Sequence, residues 1–128
     1  MTLVELLLAA VVFLLAVGGI MLGFLASGAL ADSARQQMVA SEDIKEMMER
    51  IHAAPFNNLA ADFPNGTVNG PGGNPYNTLV GGYTLTGQSI TVTSPNPAAD
   101  PREIIVTVNW TDRTRARGLS ATTMRTSR

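Results

Sequence analysis

Glu5 is the residue whose position most demands a chemical explanation. Residues 6–31 hold no charged side chain, and Ser27 is their one hydroxyl. A carboxylate heading such a run sits against hydrocarbon if the run enters a membrane. Insertion scales set that cost at about 2.5–3.5 kcal/mol for an acidic residue at a helix centre, and less near an end. Two partners can be read from the residues. Thr2-x-x-Glu5 fits a capping box, in which hydroxyl and carboxylate satisfy free N–H groups of the first turn, and the helix dipole favours an anion there. The other partner is the α-amino group of Met1 on a neighbouring copy. In an apolar bundle that pairing would fix axial register, because any other offset leaves a buried charge alone.

The remaining charges fall in two groups. Glu42, Asp43, Glu46 and Glu49 lie together in one stretch, and Arg113, Arg115 and Arg117 lie near the other end. Their complementary signs suit contacts between copies. The arginines could also meet nucleic-acid phosphates. The net charge of −1 supplies no general attraction of that kind, so nucleic acid is not an expected partner. His52 is the single histidine and stands just before Pro55, which suits a surface role at a helix end. No nucleophile–base pair, metal-ligand spacing or phosphate loop of the usual kinds appears. Asp62 alone accompanies the Asn/Gly stretch 65–77, too few carboxylates for calcium. With no cysteine there is neither disulfide nor thiolate site. The expectation is a non-enzyme without catalytic residue, metal or cofactor. Asn65-Gly-Thr67 and Asn109-Trp-Thr111 match the short glycosylation sequon.

The elements that position these groups follow from patterning. The chain's 128 residues suit one small domain. The charge-free run is long enough to span a bilayer and too long for a signal-peptide core. The first basic side chain is Arg35. Positive flanks orient membrane segments, so a basic leader removed ahead of Met1 is expected. One helix is predicted over 2–54, stopping before Pro55, whose ring disfavours helical geometry in the preceding residue. It divides into a hydrophobic half, 1–30, and an amphipathic half, 31–54, where Ala40, Ile44, Met47 and Ile51 form one stripe. Such a helix is about 80 Å long, more than a small globule can bury, so much of it should meet lipid or other chains. Gly18, Gly19 and Gly23 break the apolar half. Gly19-x-x-x-Gly23 permits close helix approach, while the low helix propensity of glycine equally permits local unwinding.

Residues 55–128 are expected to form a loop and a sheet. Gly and Pro density marks 55–82 as a loop. Tyr83–Thr86 and Ser89–Thr93 are predicted strands about a Gly87-Gln88 turn. Glu103–Trp110 follows, with Ile104, Val106, Val108 and Trp110 on one face. Thr111–Gly118 is predicted as a polar, Arg-rich turn and Leu119–Thr126 as the last strand. The fold class is α+β. A long N-terminal helix with a protruding apolar half packs its C-terminal half on a four-stranded antiparallel sheet.

Met1-Thr-Leu-Val-Glu5, followed by Leu6-Leu-Leu-Ala-Ala-Val-Val-Phe-Leu-Leu15, resembles the mature N-terminus of the type IV pilin superfamily. The likeness is close over residues 1–30, and the helix–loop–four-strand order is similar along the chain. It implies a structural subunit that leaves the bacterial inner membrane to join a helical homopolymer, an extracellular pilus, through its N-terminal helix. Alternatives within the superfamily are a low-copy minor pilin, or a secretion or competence pseudopilin that would remain periplasmic. Further implied partners are a prepilin peptidase that cleaves before Met1 and methylates it, an assembly ATPase and membrane platform, and other minor pilins. Thr2 and Glu5 would then serve assembly. Three departures stand out. Met1 replaces the usual Phe, Leu22 stands where many bacterial pilins have a kinking Pro, and the C-terminal cysteine pair is absent.

Overall fold

The computed structural model describes residues 2–66 and 70–127. Helix α1 spans Leu3–Ala53, close to the predicted 2–54. Pro55 follows it in extended geometry, as a ring that cannot continue the helix requires. The chain forms two compact units, Met1–Arg35 and Gln36–Arg128, with α1 contributing to both.

In the first unit α1 is regular throughout, including Gly18, Gly19, Gly23 and Gly28. Leucine and alanine are strong helix formers, and no proline interrupts them. Every described side chain from Thr2 to Gly28 is exposed.

In the second unit, the later part of α1 packs against an antiparallel sheet of order β1-β2-β3, comprising Ser89–Thr93, Arg102–Asp112 and Arg115–Arg125. The helical stripe Ala40, Ile44, Met47 and Ile51 joins Ile90, Val92, Ile104, Val106, Val108 and Trp110 in one buried cluster. Strand β2 alternates as period two demands, with Glu103 and Asn109 outward. Trp110 Nε1 donates to Gln36 Oε1 at 3.0 Å, tying α1 to the end of β2.

The α+β class holds, but the sheet has three strands among the described residues, not the expected four. Tyr83–Thr86 forms no strand. The Leu85 N–H is taken by Gln88 Oε1 at 2.7 Å, and Thr86 O accepts from Thr111 N–H at 2.8 Å. The Gly87 turn does form, with Gln88 N–H donating to Leu85 O, and Gly87 takes φ 63°. Nor is Thr111–Gly118 a long turn. β2 and β3 stay in register to Asp112↔Arg115, leaving Arg113-Thr114 as the connection, with Arg113 at φ 57°. The hairpin continues to pair through these polar residues, beyond its buried face.

The loop takes the place of the missing strand. Helix α2, Leu59–Asp62, and 3₁₀ turns at Phe56–Asn58, Pro71–Gly73 and Tyr76–Thr78 fold it compactly. Its asparagines act as peptide mimics along the outer edge of β1. Asn77 donates to Gln88 O at 2.6 Å and accepts from Ile90 N–H at 2.8 Å. Gly66 exchanges two backbone bonds with Val92. Asn65 donates to Ser94 O and accepts from Ser94 N–H. Tyr76 anchors the loop: its ring stacks on Phe63, and its hydroxyl donates to Pro64 O at 2.6 Å. Burial pushes the Tyr76 hydroxyl up to about 12.

Candidate functional site

The first turn of α1 forms the capping box. Thr2 N–H donates to Glu5 Oε2 at 2.8 Å, and Glu5 N–H donates to Thr2 Oγ1 at 3.4 Å. Both donors would otherwise be among the unpaired groups of a helix start. Met1, the expected cationic partner and processing position, lies outside the described residues.

Beyond this cap, α1 presents an apolar surface on all sides through Gly28. Phe13 is 68% exposed, Leu22 70% and Phe24 79%. A contiguous apolar surface of this size marks a site that meets lipid or another protein. By length and hydropathy the helix can cross a membrane. A side chain added at Gly18, Gly19 or Gly23 would meet no other part of the chain within 4 Å. Among the described residues those positions have no packing partner in cis, and the helix shows no unwinding at them.

The predicted charge contacts divide on inspection. Glu42 is exposed, and so is Glu49, which lies 3.9 Å from Lys45. Glu46 is held within the chain. Its carboxylate accepts from Gly81 N–H at 3.0 Å and pairs with Arg50 at 2.9 Å, and these contacts, Gly81 foremost, pull its pKa below the usual value. Asp43 does not belong to the acidic surface: it is 3% exposed and accepts from Gln88 Nε2 at 2.8 Å. The helical turn that places Ile44 and Met47 in the core carries Asp43 with them. Burial raises its pKa, with Gln88 partly opposing and Glu46 and Glu42 adding to the rise.

Arg113, Arg115 and Arg117 are all exposed and gather at the tip of the β2–β3 hairpin. Arg117 Nε lies 3.8 Å from Asp112 Oδ2, so it already has an acidic neighbour. Asp112 Oδ1 also makes a long 3.5 Å contact with Gln36 Nε2. His52 reaches Thr123 Oγ1 at 3.1 Å, at the end of α1 as its position suggested. Asn109 points outward from β2, and the Asn65 side chain is occupied with Ser94. Thr67 of the first sequon lies outside the described residues.

Sequence reasoning missed the polar ties that organise this unit, Gln36, Gln88, Asn65 and Asn77. A Trp at a strand end signals a buried N–H in need of an acceptor. The asparagines carried no signal beyond membership of a Gly/Pro-rich stretch. Also missed was Arg102, 8% exposed, with its guanidinium 4.7 Å above the Phe56 ring. No family model, curated protein or solved structure matches this chain.

Proposed function

We propose that this chain is a structural subunit of the type IV pilin kind, held in a membrane by the first part of α1 and then transferred into a helical fibre through the same surface. The observation that carries this reading is the pairing of two features. Glu5 is organised in the first turn of α1, and directly after it comes a helical surface without charge over residues 6–31, exposed through Gly28. Either lipid or a bundle of identical helices can cover that surface. Transfer between the two gains little from hydrophobicity, because lipid tails are as apolar as leucine. Selectivity must come from shape and from the few polar groups. Glycines 18, 19 and 23 offer close approach, and Glu5 offers a charge that seeks a cation on a neighbour. The capping contacts leave Glu5 at the helix start, where an incoming helix terminus can reach it.

The test separates charge from cap. Glu5→Gln retains a capping box, since Gln serves at that position, but has no charge. Glu5→Ala removes both. Each full-length variant is expressed with its own assembly machinery, and the chain is quantified in membranes and in sheared filaments. Both variants should insert normally and yield few or no filaments. Wild-type filament yield from Glu5→Gln would refute the charge-pairing role. Absence of filaments from the unsubstituted chain under assembling conditions would refute the proposal as a whole.

A further inference from the structure

We infer that the cleft around Arg102 is a binding site for a small organic carboxylate. The cleft, of about 180 Å³, lies between α2 and the start of β2. Leu59, Phe63 and Ile104 supply apolar walls, each nearly fully buried. Arg102 lines it too, and its Nε and Nη1 are buried without a hydrogen-bond partner. A buried, unpaired charged donor is costly, and native proteins leave few such groups without a reason.

Among the described residues no carboxylate forms an ion pair with Arg102. Its direct cross-strand neighbour is another cation, Arg125. Arg125 gives Nη2 to Ala54 O at 2.9 Å, at the carbonyl end of α1, and its own Nε is likewise buried and unpaired. Two guanidinium groups thus stand side by side on one face of the sheet, neither in an ion pair among the described residues. The Phe56 ring, 4.7 Å from the Arg102 guanidinium, holds its plane.

The other polar groups in the cleft are already engaged. Asn65 and Ser94 bond each other, and Ser94 Oγ donates to Glu103 O at 2.9 Å. The open capacity of the site is thus cationic and donating, so its ligand must be an anion that accepts. Apolar walls disfavour a strongly hydrated inorganic ion and favour a carboxylate on a short hydrocarbon stem. Sites for small ligands generally have this composition, mostly apolar with a few placed polar groups. The inference is independent of the filament proposal, since the cleft lies wholly within Gln36–Arg128.

The experiment titrates the full-length chain, in non-ionic detergent, with butyrate, butyramide and inorganic phosphate, following the methyl resonances of Ile104 and Leu59. Butyrate should give saturable shifts, with butyramide and phosphate weaker by about tenfold or more. Arg102→Gln should lose butyrate binding to the same degree. Ala60→Phe lines the exposed mouth of the cleft with a ring, leaves Arg102 in place and should also block binding. If Arg102→Gln does not fold, Ala60→Phe and the ligand series still decide. The inference is overturned if butyrate gives no saturable shift, if butyramide or phosphate binds as well, or if Ala60→Phe binds butyrate as the unsubstituted chain does.

Discussion

Replacing Asn77 with alanine tests whether side-chain amides stand in for a fourth strand. Asn77 makes two bonds to β1, donating to Gln88 O at 2.6 Å and accepting from Ile90 N–H at 2.8 Å. Ile90 is fully buried and Gln88 nearly so. Water would not readily replace the lost partner, so each orphaned group costs about 1–3 kcal/mol. Asn77→Ala should thus destabilise Gln36–Arg128 by about 2–4 kcal/mol in all, a large share of the stability of a small domain. For a unit of this size that lowers the Tm by about 10–25 °C. Urea unfolding followed by the fluorescence of buried Trp110 measures the total. Amide hydrogen exchange then localises it. The Ile90 N–H should lose protection beyond the global change, while the Ser94 N–H, held by Asn65, should not. Asn65→Ala should give the reverse pattern. The two losses should add, because Ile90 and Ser94 are about 13 Å apart along the strand. A change below about 0.5 kcal/mol for Asn77→Ala, or unaltered Ile90 protection, would refute the substitution of amides for a strand.

Asp43 and two glycines supply further checks. Burial raises the Asp43 pKa above its unfolded value near 3.8. Its stabilising contribution is therefore complete below that value and is lost as pH rises through the folded pKa. Asp43→Asn retains an oxygen to accept from Gln88 and carries no charge to bury. It should raise the Tm at pH 7, with an advantage that shrinks as pH falls toward 4; an advantage that grows on acidification contradicts the assignment. Gly87→Ala should cost about 1–2 kcal/mol, because the left-handed conformation penalises a side chain and the added Cβ would stand 3.2 Å from Thr111 Oγ1. Gly118→Ala should instead be neutral or gain about 0.5 kcal/mol. Its clash is with Asn109 Oδ1, the movable end of an exposed side chain. Thermal unfolding of both variants checks the contrast, and equal losses would refute it.

The helical half of the molecule was legible because its signals are strong and local. Charge absence, the Thr2–Glu5 spacing, the i, i+4, i+7 stripe and Pro55 each act within a few residues, and each has its expected counterpart in α1. β2 was legible from strict alternation. The sheet's first edge was not. Tyr83–Thr86 alternates like a strand, yet Gln88 captures the Leu85 N–H. The edge is completed by residues 65–77, whose amides carry no periodic signal. Asp43 was placed on the surface because charge usually belongs there, and sequence spacing could not reveal that Gln88 would meet it. The inward phase of Arg102 follows from Ile104 and Val106 on the same face of β2.

The treatment of sheet edges bears on how such a subunit would associate. An open edge is a template for pairing with any other chain, and a subunit held at high density in a membrane would be at constant risk of it. Here the two edges are handled differently. The outer edge of β1 is consumed by Asn65, Gly66 and Asn77. The outer edge of β3 carries Arg115, Arg117 and Arg125 and is interrupted by Gly118. Antiparallel pairing of two β3 edges would bring arginines from both copies into one short ribbon, where like charges repel. Neither edge therefore favours sheet-to-sheet growth. Under the proposed function, association would fall to the apolar part of α1, with register set by Glu5 and the glycines. A sheet protected from pairing beside an exposed apolar helix is the combination that the proposed membrane-to-fibre transfer would require.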